Sequence, residues 1–143
     1  MALPSPRPGL VIGYSYLWRD EARRDREEGA KDRPVVIVLS IMNQGGETIV
    51  TVAPVTHRAP AVEREGVEIP AATKRRLGLD DRPSWIIASD LNQFVWPGVD
   101  LRPVRRDAAE IAYGALPRGL YRLLRDRVID LAREHGLQIA PRR

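Results

Sequence analysis

Arg33 stands directly before Pro34, where a highly charged stretch meets the apolar run from Val35 to Leu39. A buried strand at that point anchors the arginine backbone and lets its guanidinium reach outward. A guanidinium fixed in this way suits bidentate recognition of a phosphate. Twenty-three residues later Thr56 closes a second apolar run and is followed by His57 and Arg58. Residues at the exit of a strand can present their polar groups to a ligand. Strict alternation sends Thr56 and His57 to opposite faces, so they share one site only if the strand has already ended. With 21 arginines in the chain, one beside a strand also reads as a solvated side chain, and His57 also reads as an exposed loop residue. The second histidine, His135, precedes Gly136 at the end of a helical pattern, where a helix C-terminus favours a cation.

Several other chemistries are excluded. The chain has no cysteine, which removes a disulfide scaffold, a thiol nucleophile and zinc-finger or iron–sulfur ligation. Two histidines do not make a His-rich metal site, and neither a metal nor a cofactor is expected. Gly45-Gly46 lacks the Gly-Lys-Ser/Thr continuation of a phosphate-binding loop and reads as a hairpin turn.

These residues need elements to hold them. From Leu10 the chain alternates, with Ile12, Tyr14, Tyr16 and Trp18 on one face, which predicts a half-buried strand. The segment from Trp18 to Asp32 is dense in charges of both signs and is either a long loop or a short solvated helix. Pro34 to Ser40 is continuous and β-branched, as in a strand covered on both faces, with Pro34 expected at its first position. Asn43-Gln44-Gly45-Gly46 turns the chain into a hairpin partner over 47–55. Short strands are expected at 67–69, 84–89 and 93–96, with a helical turn or two over 70–77 closed by Gly78. The clearest helix runs from Pro117 to His135, with Leu120, Leu124, Val128 and Leu131 forming one stripe. Five or six short strands with one small and one terminal helix predict a mainly β (α+β) fold. The expected form is a small SH3-like antiparallel β-barrel with a docked C-terminal amphipathic helix.

A length of 143 residues fits one domain over 1–143, with residues 1–8, which hold three prolines, as a flexible arm. Hydrophobic residues at 43% and charged residues at 29% describe a globular chain. No segment reaches the ~20 apolar residues of a membrane span, and the N-terminus does not resemble a secretory signal, so no membrane partner and a cytoplasmic location are expected. The net charge of +4 points to an anionic partner. That excess is uneven: residues 102–143 hold ten basic and five acidic side chains, against thirteen and fourteen in residues 1–101.

The order of these motifs resembles the MazF/PemK (Kid) family of toxins from type II toxin–antitoxin pairs. The resemblance rests on a first strand opened by Gly9, a loop ending in Arg33-Pro34, and a strand ending in Pro54-Val55-Thr56. Val67-Glu68-Ile69, the Leu77-Gly78-Leu79 turn, 84–89, 90–94 and the terminal helix follow in order, so it spans about 9–137. It implies an SH3-like barrel, a homodimer, a cognate antitoxin partner, and growth inhibition by metal-independent cleavage of single-stranded RNA at short sequences. Arg33 and Thr56 match the family's catalytic positions, and Glu28 occupies the offset of its loop glutamate. The family's Gly-Ser before that glutamate is replaced by Arg26-Glu27, so Glu27 is an alternative to Glu28. Lys31, His57, Arg58 and Trp18 are the expected RNA contacts, Trp18 either stacking a base or continuing the strand's inward aromatic face. In that reaction Arg33 stabilises the transition state, Thr56 binds a phosphate oxygen or positions the 2′-hydroxyl, and the loop glutamate moves a proton or orients Arg33. His57 is an alternative proton shuttle. The same small barrel also occurs in toxins that poison gyrase by binding it, and a non-catalytic antitoxin-binding homologue is a further alternative.

Overall fold

The computed structural model describes residues 3–18, 31–136 and 139–141. Its strands are β1 (Leu10–Tyr16), β2 (Lys31–Met42), β3 (Thr48–Thr56), β4 (Gly66–Glu68), β5 (Trp85–Ile87), β6 (Leu91–Trp96), β7 (Leu101–Arg102), β8 (Ala112–Ala115) and β9 (Ile139–Pro141). The helices are α1 (Ala71–Leu77) and α2 (Arg118–His135), with a 3-10 turn at Glu63–Glu65. Hydrogen bonding runs β4-β5-β3-β2-β1-β7, with β6 joined to β3, β8 to β1, and β9 to β6. This path does not close on itself, so the expected barrel is an open, curled sheet. The β6–β9 pair is parallel, the others antiparallel.

The curl separates two apolar clusters, and strand alternation assigns residues between them. Val36 and Val38 face one side with Ala53, Val55 and Ile86, and α2 covers this side with Leu124, Val128 and Leu131. Val35 and Ile37 face the other with Ile12, Tyr14, Tyr16, Val50, Val52 and Phe94. Each fully buried aliphatic side chain contributes roughly 1.5–3 kcal/mol relative to exposure. The helical stripe read from the sequence is therefore what seats α2. Gly136 closes α2 by donating its N–H to the Ala132 carbonyl, and Gly78 closes α1 in the left-handed region at φ 71°.

Three expectations are corrected. β1 is buried along its whole length rather than on one face, and the Arg102–Pro103 backbone lies against the side that Gly13 presents. Gly13 permits this: a Cβ there would collide with the Arg102 carbonyl. β2 outruns its cover, leaving Leu39 and Ile41 exposed beyond a register shift between Ile37 and Leu39. Pro34 is the fourth residue of β2 rather than its first. It is tolerated because Gly13, opposite it, donates its N–H away from β2 to the Ile111 carbonyl (2.8 Å). Pro34 is thus in a non-hydrogen-bonded pair with β1, and its missing N–H falls on the β3 side.

Candidate functional site

The β2–β3 ladder ends at the pair Val35↔Pro54, after which Val55 and Thr56 pair with Ile86 and Trp85 of β5. Continued by one residue, the register would set Pro34 against Val55. Pro34 has no N–H to give the Val55 carbonyl, and Arg33 Nη1 takes that acceptor instead, in a long bond of 3.4 Å. Arg33 also lies over the ring of Trp18, its guanidinium carbon 5.3 Å from the ring centroid. The guanidinium is therefore held from two sides at the point where the strands part. The Arg-Pro pair of the sequence has a local cause: the proline vacates the acceptor that tethers its neighbour.

Thr56 is the last residue of β3, so alternation no longer governs His57. The Thr56 hydroxyl oxygen accepts the Arg58 N–H (3.2 Å), which bends the chain and leaves the hydroxyl proton for a ligand. Thr56 and His57 consequently line one open cleft of about 720 Å³, together with Arg33, Lys31 and Arg58. A second cleft of about 620 Å³ brings Trp18 to Lys31, Arg33, Thr56 and Arg58. A third, of about 410 Å³, joins Arg33 to Arg102, Arg105 and Arg106. Arg33 lies on all three. Every expected site residue that the structure describes borders one of these clefts; Glu27 and Glu28 lie outside the described residues.

Trp18 is half-buried and packs edge-on against Tyr16, with ring centroids 5.3 Å apart. It continues the inward aromatic face and carries Arg33 on its own face. His135 sits in the last turn of α2, 3.6 Å from Glu134, and lines none of these three clefts.

Reading the sequence missed the floor of the first cleft. Lys74 of α1 is only 4% exposed and donates to Asp80 Oδ1 (2.6 Å), Ser84 Oγ (2.5 Å) and the Arg82 carbonyl. The other oxygen of Asp80 lies 2.7 Å from His57 Nε2. Burial pushes the Asp80 carboxyl up, but hydrogen bonds from Lys74, the Arg82 N–H and His57 outweigh it and hold the carboxyl below its ordinary value. Burial pushes the Tyr113 hydroxyl, on the same cleft, upward. Arg102, Arg105 and Arg106 were visible only as part of the C-terminal basic excess. Folding brings them beside Arg33, where Arg102 pairs with Asp32 at 3.4 Å. Among the described residues no helix is long and apolar enough to cross a membrane.

No family model and no curated protein sequence matches the chain. Solved structures do. A MazE–MazF structure from Deinococcus radiodurans is similar over 96% of this chain and 100% of its own, with a TM-score of 0.54 and 15% identity. The Mycobacterium tuberculosis toxin MazF-mt6 is similar over 92% and 99%, with a TM-score of 0.51 and 23% identity. The chain has the fold of MazF-type toxins.

Proposed function

We propose that this chain is the toxin of a type II toxin–antitoxin pair and an endoribonuclease that cuts single-stranded RNA by transesterification without a metal. The observation that carries the reading is the convergence of three clefts on a tethered arginine, with a strand-end threonine beside it. The fold shared with MazF-type toxins supports it. The ribose 2′-oxygen attacks the adjacent phosphorus, the bond from phosphorus to the 5′-oxygen breaks, and the products are a 2′,3′-cyclic phosphate and a 5′-hydroxyl. Arg33 meets the charge that grows on the non-bridging oxygens with two N–H donors. The Thr56 hydroxyl donates to a phosphate oxygen or positions the 2′-hydroxyl. Glu28, or Glu27 in its place, is the loop carboxylate that orients Arg33 or exchanges a proton. Lys31, Arg58 and the Trp18 cleft take the flanking nucleotides by charge and stacking.

The antitoxin and a second copy of this chain are the proposed protein partners, and the cytoplasm, where the RNA is, the proposed compartment. The experiment is cleavage of a long single-stranded RNA and its deoxy counterpart in EDTA. RNA fragments ending in cyclic phosphate with intact DNA are expected. Absence of RNA cleavage, or equal cleavage of the DNA, refutes the mechanism.

A further inference from the structure

The cleft contains a hydrogen-bonded series that the proposed reaction has not yet used. Lys74 is buried, and its three donors go to Asp80, Ser84 and the Arg82 carbonyl, so it has none left for a ligand. Its effect is to fix Asp80, whose Oδ1 also accepts the Arg82 N–H at 3.1 Å. Asp80 Oδ2 is then turned to His57 Nε2 at 2.7 Å. A carboxylate surrounded by donors only accepts hydrogen bonds, so Nε2 carries a proton, and in the neutral imidazole the lone pair is then on Nδ1. This is the arrangement by which a carboxylate sets the tautomer of a general-base histidine.

Among the described residues on this cleft His57 is the one imidazole. Asp32 is engaged with Arg102, Tyr113 donates to the Val104 carbonyl (3.0 Å), and the remaining ionisable side chains on this cleft among the described residues are cations and Asp80 itself. His57 has a third of its side chain exposed, at 35%, on the same cleft as Arg33 and Thr56.

We infer that His57 is the general base of this site, with Asp80 its positioning residue and Lys74 the anchor of Asp80. The inference rests on the ribonuclease reading and, of the alternatives given there, assigns the proton acceptor to His57 and leaves the loop glutamate the orienting of Arg33. His57 Nδ1 takes the 2′-hydroxyl proton as the 2′-oxygen bonds to phosphorus. The 5′-oxygen leaves with a proton from solvent water, and the imidazolium returns its proton to solvent.

The test uses the full chain and a single-stranded RNA containing a mapped cleavage point. His57→Ala is expected to slow cleavage by about 10²–10⁴-fold while RNA affinity, read by anisotropy, stays within about threefold. Asp80→Asn is expected to slow it by at least about tenfold, and the double variant to be no slower than His57→Ala alone. Added imidazole should restore rate to His57→Ala but not to Arg33→Ala. A substrate with sulfur at the bridging 5′ position, whose leaving group needs no acid, should leave the His57→Ala defect in place. Relief of that defect would make His57 the acid and overturn the assignment, as would additive losses in the double variant.

Nitrogen NMR of the histidines provides a readout without RNA: the Nε2–H tautomer is expected in the native protein, and its loss in Asp80→Asn. The Nδ1–H tautomer in the native protein overturns the inference. If the native protein cleaves and Arg33→Ala does not, yet His57→Ala is unimpaired, only this inference fails. If the native protein cleaves no RNA, the ribonuclease reading fails with it.

Discussion

Replacing Arg33 by lysine separates two accounts of the site that an alanine substitution merges. Lysine keeps the positive charge but loses the planar fork and the tether to the Val55 carbonyl. If Arg33 served only as charge near the RNA path, the lysine variant would lose no more than about threefold in rate, since the field of one screened charge is retained. If it grips the phosphorane through two parallel bonds, at least one charge-assisted bond goes, worth about 1.5–3 kcal/mol. At 1.36 kcal/mol per decade that is roughly a 10- to 150-fold loss. Arg33→Ala, with both bonds gone, should lose on the order of 3 kcal/mol or more, hence at least about 10²-fold. Neither change should unfold the protein. The Val55 bond is long at 3.4 Å and the contact with Trp18 lies at the cleft edge, so the stability loss should stay within about 1 kcal/mol. The assay is single-turnover cleavage of a short fluorogenic RNA, paired with urea unfolding of each variant. Wild-type cleavage by Arg33→Lys, or a loss in Arg33→Ala no larger than its unfolding shift explains, refutes the bidentate role.

Other substitutions probe the supports of the site. Trp18→Leu keeps apolar filling but removes the ring face beneath Arg33, at a cost of about 0.5–1 kcal/mol in positioning; a two- to fivefold slower cleavage (roughly, from the same energy) is expected, and an unchanged rate refutes it. Gly13→Ala drives a methyl into the Arg102 carbonyl, so about 1–3 kcal/mol of overpacking should appear as a lower urea midpoint; an unshifted midpoint refutes the close approach of β7. Asp80 has a carboxyl depressed on folding, so it stabilises above its unfolded value of about 4 and loses this as pH falls through the lower folded value. The stability gap between the native protein and Asp80→Asn should therefore narrow as pH falls below about 4. Asp80 is half exposed, so solvent screening limits that gap to about 1 kcal/mol, and a gap that widens in acid would refute the reading.

Long, patterned segments were readable from the sequence. β2, β3 and α2 fall within a few residues of the expected spans, because a buried β-branched run and a stripe of four leucines and valines carry their own periodicity. β7, β8 and β9 did not register, since two to four residues show no period and exist only through their partners in β1 and β6. The exposure of Leu39 and Ile41 was hidden for a related reason: composition marks them as core, and only the length of the neighbouring elements shows that nothing covers them. At the site, Arg33 and Thr56 were legible as residues at strand ends. His57 was ambiguous because its direction depends on whether β3 stops at Thr56, which pairing with β5 decides. Lys74 was invisible: in Lys74-Arg75-Arg76 it looks like part of a solvated basic face, yet one helical direction turns it inward to Asp80 and Ser84.

Pro34 joins the fold to the chemistry in a way that can be tested directly. The open end of the β2–β3 ladder, the unclaimed carbonyl of Val55 and the tether of Arg33 all follow from one missing N–H. Pro34→Ala restores that donor. The new N–H points toward β3 and competes with Arg33 Nη1 for the Val55 carbonyl, so the ladder gains a pair and the guanidinium loses its fixed position. A backbone hydrogen bond adds about 0.5–1.5 kcal/mol, while the freer unfolded chain takes back about 0.4–1 kcal/mol. Stability should therefore change little, and a small gain is as consistent with the geometry as a small loss. Cleavage should fall regardless, by about the tenfold expected when a positioned charge-assisted contact is loosened. Arg33 is untouched in this variant, so a slower enzyme of undiminished stability would locate the effect in positioning alone. A Pro34→Ala protein that cleaves at the native rate would show that the proline does not position the arginine, which then needs no help from it.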